Sequence, residues 1–153
     1  MSDNTAPFEK LVALVKAAIA LLTHAQSVLA LVFRLYLANV FFSAGLTKIK
    51  SWNTTLELFA YEYTVPLIPS DLAAYMSTAA ELVLPVLLVL GLGSRFSALG
   101  LFILNYVAAI SYPDISPAGI NDHYFWGVMC LSLFIYGPGK ASLDQFIAKR
   151  YCA

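Results

Sequence analysis

The sequence predicts an all-α integral membrane protein. The expected architecture is an antiparallel four-transmembrane-helix bundle, with an N-terminal interfacial helix before it and a short C-terminal amphipathic helix after it. Of the 153 residues, 60% are hydrophobic and only 12% are charged, where a soluble domain carries about 25% charge. Mean hydropathy is +0.76. Apolar runs of roughly bilayer-crossing length alternate with turn signals rich in Gly, Pro and Asp. No water in the hydrocarbon region can satisfy backbone polar groups, so such runs must be helical. The length suits one compact bundle, residues 1–153 as a single membrane domain. A formal net charge of zero, with no basic run, argues against nucleic acid as a partner.

The elements follow in order. Residues 1–7 are polar and expected to fray. Residues 8–24 are apolar but interrupted by Lys10 and Lys16. Thr23-His24-Ala25 faintly resembles a cleavage site, yet Asp3, Glu9 and the splitting Lys16 do not suit a signal peptide. An interfacial helix feeding the first span fits better. Spans are expected over residues 27–46, 72–92, 95–111 and 123–136. The last two are short for a crossing of ~20 residues and call for local thinning or partial exposure. The brief Gly91–Ser94 connection makes its two flanking spans antiparallel. The first connection, residues 48–71, has room for helical structure around residues 53–63, lying across the bundle as a lid. Pro113 and Pro117 punctuate the third connection, and Gly137-Pro138-Gly139 closes the fourth span. Residues 142–150 read as a short amphipathic helix capped by Ser142, with Lys149 and Arg150 near its C-terminal end.

Four spans put both termini on one side. Lys10, Lys16, Arg95, Lys140, Lys149 and Arg150 lie there, against Lys48 and Lys50 on the other. That excess predicts cytoplasmic termini in a multi-pass protein of the bacterial cytoplasmic (inner) membrane. Glu57, Glu62, Asp71, Asp114 and Asp122 then face outward, and Trp52, Tyr61, Tyr63, Tyr124 and Trp126 form an aromatic belt at the outer boundary.

Glu81 lies near the middle of the second span. A charge at that depth costs at least ~2.5–3.5 kcal/mol, so it requires a partner, a proton or a polar cavity. Arg34, at a similar estimated depth in the first span, is the expected partner. The pair reads either as a register-fixing ion pair or as a proton-carrying site. Asn39, Asn105, Tyr36, Tyr106, Ser77 and Thr78 are candidates to line a polar pocket around it. Pro85 cannot donate its backbone hydrogen bond, and its ring clashes with the Glu81 carbonyl, which predicts a kink. His123 opens the fourth span beside Asp122, as a proton donor or a belt residue, and Lys48 with Glu57 or Glu62 is a candidate neighbour. Cys130 and Cys152 lie at different depths and belong to no CxxC. With no HxxxH, CxxCH or glycine-rich nucleotide loop, no metal site is expected, and haem and flavin gain no support.

These segments also carry a family resemblance. Arg34-Leu-Tyr-Leu, Phe41-Phe-Ser-Ala-Gly45-Leu-Thr-Lys48 and Glu81-Leu-Val-Leu-Pro85, running on to Gly91-Leu-Gly-Ser-Arg95, resemble the DoxX family of small four-helix membrane proteins. Asp122-His123-Tyr-Phe-Trp126 and Gly137-Pro-Gly139-Lys-Ala-Ser142-Leu-Asp144 resemble its C-terminal half, so the likeness spans residues 28–145. It implies that Arg34, Lys48, Glu81, Arg95, His123 and Asp144 are characteristic polar positions. The family includes a subunit linked with thiosulfate:quinone oxidoreductase, members associated with thiol redox balance, and members accompanying maturation of copper-binding secreted peptides. The run from Tyr61-Glu-Tyr63-Thr-Val-Pro66 to Pro85 is most similar to the copper-peptide branch. The chain lacks a paired-cysteine motif for a dithiol relay.

Two functions follow from this reading. One is a quinone-interacting redox subunit linked to sulfur, thiol or metal-stress systems, in which quinone is the only cofactor implied. There Glu81 carries protons, Arg34 orients it, and His123 exchanges protons with the outer face. Asn39, Asn105, Tyr106 and Lys48 bind the ligand, while Arg95 and Asp144 are structural. The other is a non-enzymatic scaffold or small transporter for such a system. Partners expected beyond the lipid bilayer are a redox protein or secreted peptide system, and a second copy of the chain.

Overall fold

The computed structural model describes residues 6–151, all of whose regular structure is helical. The helices are α1 (Ala6–Lys50), α2 (Trp52–Tyr61), α3 (Ser70–Leu90), α4 (Ser94–Ser111), α5 (Pro117–Tyr136) and α6 (Leu143–Tyr151). The chain's first five residues, Cys152 and Ala153 lie outside the described residues. α1, α3 and α4 are long and apolar enough to cross a membrane. α5 packs mainly on α4 and also meets α1, completing an antiparallel bundle. Its first turns carry Asn121, Asp122 and His123, which dilute its apolar character.

The core is a column of Leu37 and Phe41 from α1, Leu88 from α3, Ala98 and Leu101 from α4, and Cys130 and Leu133 from α5. Around that column the large apolar side chains point outward: Val32, Val83, Ile103 and Val128 are all more than half exposed. An outer surface of this kind suits lipid rather than water. A smaller cluster of Phe59, Ala73 and Ala74 packs α2 against the start of α3. The helix expected in the first connection is therefore present, and it covers that end of the bundle.

Two boundaries differ from expectation. The interfacial segment 8–24 is not a separate element; α1 runs without a break through 45 residues. At ~1.5 Å per residue that is about 67 Å, more than twice the ~30 Å hydrocarbon thickness. The run lacks Gly and Pro from Phe8 to Ala44, so nothing in it ends a helix. α5 begins at Pro117 rather than near His123 because Ser116 caps it, accepting a hydrogen bond from the Gly119 amide at 3.1 Å. Pro117 is thus the first helical residue, where a missing N–H costs nothing.

The polar residues at the termini end close helix ends. Gly91 ends α3 at φ 70°, and a β-carbon there would lie 2.5 Å from Ser142 Cβ and 2.6 Å from Arg34 Nη2. Only glycine allows that approach. Asp144 reaches across from α6 and accepts from the Gly93 and Ser94 amides, both at 2.8 Å, supplying the N-terminal cap of α4. Ser142 caps α6 as expected, accepting from the Gln145 amide at 3.2 Å.

Candidate functional site

Glu81 is 7% exposed, on the face of α3 that meets α1. Its partner is Lys48, whose Nζ donates to Oε1 at 2.7 Å and to Oε2 at 2.6 Å. Both carboxylate oxygens are thus held by one ammonium, a charge-assisted arrangement. Gly45 permits it. A β-carbon at that position would meet Leu82 Cδ2 at 2.9 Å and Glu81 Cβ at 3.1 Å, so only a residue without one lets α1 lie this close to α3. Lys48, three residues on and on the same face, then reaches the carboxylate.

The expected Arg34–Glu81 pair is not formed. Arg34 is 1% exposed, and its guanidinium is spent on backbone carbonyls. Nε donates to Leu88 O at 2.7 Å and Nη2 to Val89 O at 2.6 Å. Nη1 donates to Pro138 O at 3.2 Å and Ala141 O at 2.6 Å. The register of α1 on α3 explains the difference. Arg34 meets the last turn of α3, and Leu88 lies seven residues beyond Glu81, about 10 Å along the helix. Arg34 closes orphan carbonyls at the C-terminal end of α3, where a cation is favoured, and carbonyls of the loop between α5 and α6. Arg95 does the same for α5, donating from Nη1 to Phe134 O at 2.7 Å and Ile135 O at 2.9 Å. The structural roles expected of Arg95 and Asp144 fit these contacts.

Lys48 and Glu81 form part of the wall of a cavity of about 440 Å3 between α3 and α4, with Phe59 of α2 and Tyr63 of the next loop over it. That volume is within the range of small-molecule sites, ~300–1,000 Å3. Met76, Leu84, Ile103, Leu104 and Val107 make most of the wall apolar. Ser77 also lines it, and Ser111 contributes a buried hydroxyl with no hydrogen-bond partner. A buried orphan of that kind is a ready donor for a bound group.

His123 lines the same cavity. Its Nδ1 lies 2.8 Å from Asn105 Oδ1, while Asn105 Nδ2 donates to the His123 carbonyl at 2.8 Å. Assigning Nδ1 as the protonated nitrogen suits the amide oxygen and leaves Nε2 as the basic atom. The ring packs edge-on to Trp126, centroids 5.1 Å apart, and Trp126 in turn packs against Phe41 at 6.0 Å. Trp126 therefore belongs to the bundle interior rather than to a surface belt.

Tyr63 stacks edge-on with Phe59 at 5.0 Å and with Tyr112 at 5.5 Å, joining the loop to the end of α4. The Thr64 amide donates to Ser111 O at 2.8 Å across the same seam. Burial, then the neighbouring Tyr112, Glu62 and Glu81, push the Tyr63 hydroxyl above its usual value, so it is a neutral donor at physiological pH.

Three expected pocket residues lie elsewhere. Asn39 is exposed and borders a shallow outer groove with Phe42 and Pro85. Tyr106 is 59% exposed and Tyr36 49%, both pointing away from the cavity. Helical spacing is the cause: Tyr106 is one residue from Asn105 and so faces about 100° away. Glu57 and Glu62 are exposed and form no ion pair with Lys48. Thr78 is buried and donates to Ala74 O at 2.8 Å. Among the described residues no cluster of three or more His, Cys, Asp or Glu is placed to hold a metal. Ser111, Tyr112 and Tyr63 were not anticipated; only their meeting across the seam makes them a wall.

The DoxX family model matches residues 29–113, which takes in the whole of α2, α3 and α4 and the part of α1 inside the bundle. The chain belongs to the DoxX family. A relative from Haemophilus influenzae, described as an uncharacterized protein, is 36% identical over 127 residues, covering 79% of this chain and 84% of its own length. No solved structure matches. Within this DoxX protein the matched region holds both partners of the Lys48–Glu81 pair and Asn105, whereas His123 follows it. Family membership and the three apolar helices make it a multi-pass membrane protein.

Proposed function

We propose that this DoxX protein binds a quinone in the cavity beside Lys48 and Glu81 and serves as a quinone-interacting redox subunit. The observation that carries the proposal is the ion pair set in the wall of an otherwise apolar cavity. A quinone is apolar and membrane-dissolved, with carbonyl oxygens that need donors, and the donor set here suits it. When bound, it accepts two electrons and two protons from a reductant, for which the thiol and sulfur compounds associated with the family are the natural class.

The chain's own groups handle orientation and protons. A Lys ammonium has three N–H donors, and Glu81 takes two of those of Lys48. The third is left for a ligand carbonyl. Glu81 holds that ammonium in place in an apolar wall, taking the orienting role expected of Arg34. His123, held by Asn105, offers Nε2 as a second proton-carrying atom. Ser111 and Tyr63 supply neutral donors, and Phe59 with Tyr63 forms the wall on the α2 side.

In this reading the protein sits in the bacterial inner membrane with both termini cytoplasmic and the cavity in the outer half. Electrons come from such a small reductant or through a partner protein. A scaffold or transport role is the second reading, favoured by the part of α1 that projects beyond the bundle uncovered, with Phe8, Leu14 and Leu22 each 68% exposed. That surface suits a second copy or another membrane protein.

The test is an organic extract of protein purified in mild detergent, assayed for quinone, with Glu81→Gln beside wild type. Stoichiometric quinone in wild type, reduced at least tenfold in a variant that still elutes as a folded species, is the expected result. Absence from both, under conditions that retain bound lipid, overturns the quinone reading in favour of the scaffold.

A further inference from the structure

A second cavity, about 530 Å3, lies at the termini end between α1, the start of α4, the Gly137–Lys140 loop and α6. It is separate from the quinone proposal in both place and chemistry. Polar side chains interrupt its wall: Gln26, Arg95, Lys140, Tyr136 and Gln145 line it together with Ser94. Arg95 uses only Nη1 to close α5, and its other nitrogens make no hydrogen bond among the described residues. Lys140 is exposed and makes none either. Asp144 is also in the wall, but its carboxylate is engaged by the Gly93 and Ser94 amides. Two cations against one capped carboxylate leave the cavity net positive.

Ser94, completely buried at the first turn of α4, also lines this cavity, its hydroxyl beside the Asp144 carboxylate. Phe96 and Tyr136, 71% and 69% exposed, flank the cavity on the lipid-facing side. Aromatic residues at that level mark the membrane–water boundary.

We propose that this cavity binds a phosphate ester bearing hydroxyl groups, with Arg95 and Lys140 on the phosphate and Gln26 and Gln145 on the hydroxyls. The chemistry is shared by the headgroup of an anionic phospholipid such as phosphatidylglycerol and by a soluble glycerol phosphate. The guanidinium provides paired donors for phosphate oxygens, and the ammonium adds a point charge.

Native mass spectrometry of the delipidated full chain tests this. Probes are phosphatidylglycerol, phosphatidylcholine and glycerol 3-phosphate, each with wild type, Lys140→Glu and Lys149→Glu. Lys149 lies on the same end but outside the cavity wall, so its variant makes the same charge change elsewhere. The expected result is one retained phosphatidylglycerol, at least tenfold favoured over phosphatidylcholine, lost in Lys140→Glu and kept in Lys149→Glu. Retention of glycerol 3-phosphate alone, with the same dependence on Lys140, supports the site and makes its ligand a soluble ester. Equal losses in the two variants overturn the proposal in favour of general surface attraction. No retained probe on wild type overturns it outright.

Discussion

Arg34 and Glu81 are both buried charges on membrane helices, yet their surroundings differ in kind. At the termini end, Arg34 donates four hydrogen bonds, all to backbone carbonyls, and Arg95 and Asp144 likewise close the ends of α5 and α4. At the other end, Glu81 meets a titratable side chain, Lys48, and the pair borders a cavity with His123 on its wall. A charge satisfied by backbone serves folding, because its partners cannot change state. A charge satisfied by another ionisable side chain beside a void can exchange protons with whatever enters. Burial alone does not separate these cases; the partner does.

The sharpest way to break the comparison is Arg34→Met. Several buried carbonyls lose their donor at once, and the expected cost is about 3–5 kcal/mol, in line with removing one partner from a buried charged network. Thermal unfolding in detergent should show a large loss of folded protein whatever ligand is added. If Arg34→Met instead remained as stable as wild type, the capping account of this end would be wrong.

Glu81→Gln comes next. Lys48 keeps partial access to solvent, with its side chain 21% exposed, so the expected loss is smaller, about 1–3 kcal/mol. The double variant Lys48→Met/Glu81→Leu should recover most of that stability while leaving quinone retention abolished. Recovery of both together would make the pair a register device and nothing more.

Asp144→Ala removes a cap and should cost about 1 kcal/mol. The same cap predicts a pH dependence. Burial raises the Asp144 carboxyl, but the Ser94 and Gly93 hydrogen bonds and the Arg34 charge outweigh it and hold the group below its ordinary 3.8. A carboxyl lowered by folding contributes stability that is full above its unfolded value and is lost as pH falls through the folded one. Wild type should therefore lose this contribution below about pH 4, and Asp144→Ala should show a flatter acid limb in the same unfolding series. An unchanged acid limb would remove Asp144 from the account.

Asn39→Leu should be the mildest change. The side chain is exposed outside the cavity, so stability should stay within about 0.5 kcal/mol and quinone retention should be unchanged. A lost ligand in this variant would move the site to the outer groove beside Pro85.

Much of the architecture was legible without coordinates. Apolar run length and turn residues located α3 and α4 to within about two residues, and the long first connection announced α2. Glu81 and Asn105 were recognisable as polar groups at membrane depth, and Lys48 and His123 as candidate neighbours at the outer face. The break expected near residue 25 failed because polar residues on one face of a helix do not interrupt its backbone hydrogen bonds. Asn39 and Tyr106 failed because depth along a helix says nothing about the direction a side chain takes around it.

Composition and helical periodicity by themselves determined that this chain is a membrane bundle with unusual charges inside it, because the bilayer penalises both open backbone and unpaired charge locally. Which charge meets which was decided only by the tertiary structure. Interhelical register is set by packing details such as the Gly45 approach to Leu82 and Glu81, and a shift of two turns moves a guanidinium about 10 Å. That shift takes Arg34 to the end of α3 and leaves Glu81 to Lys48. The cavity is likewise a product of assembly, since Tyr63, Ser111 and His123 are far apart in the chain and become one wall only when the loop after α2 meets α4 and α5.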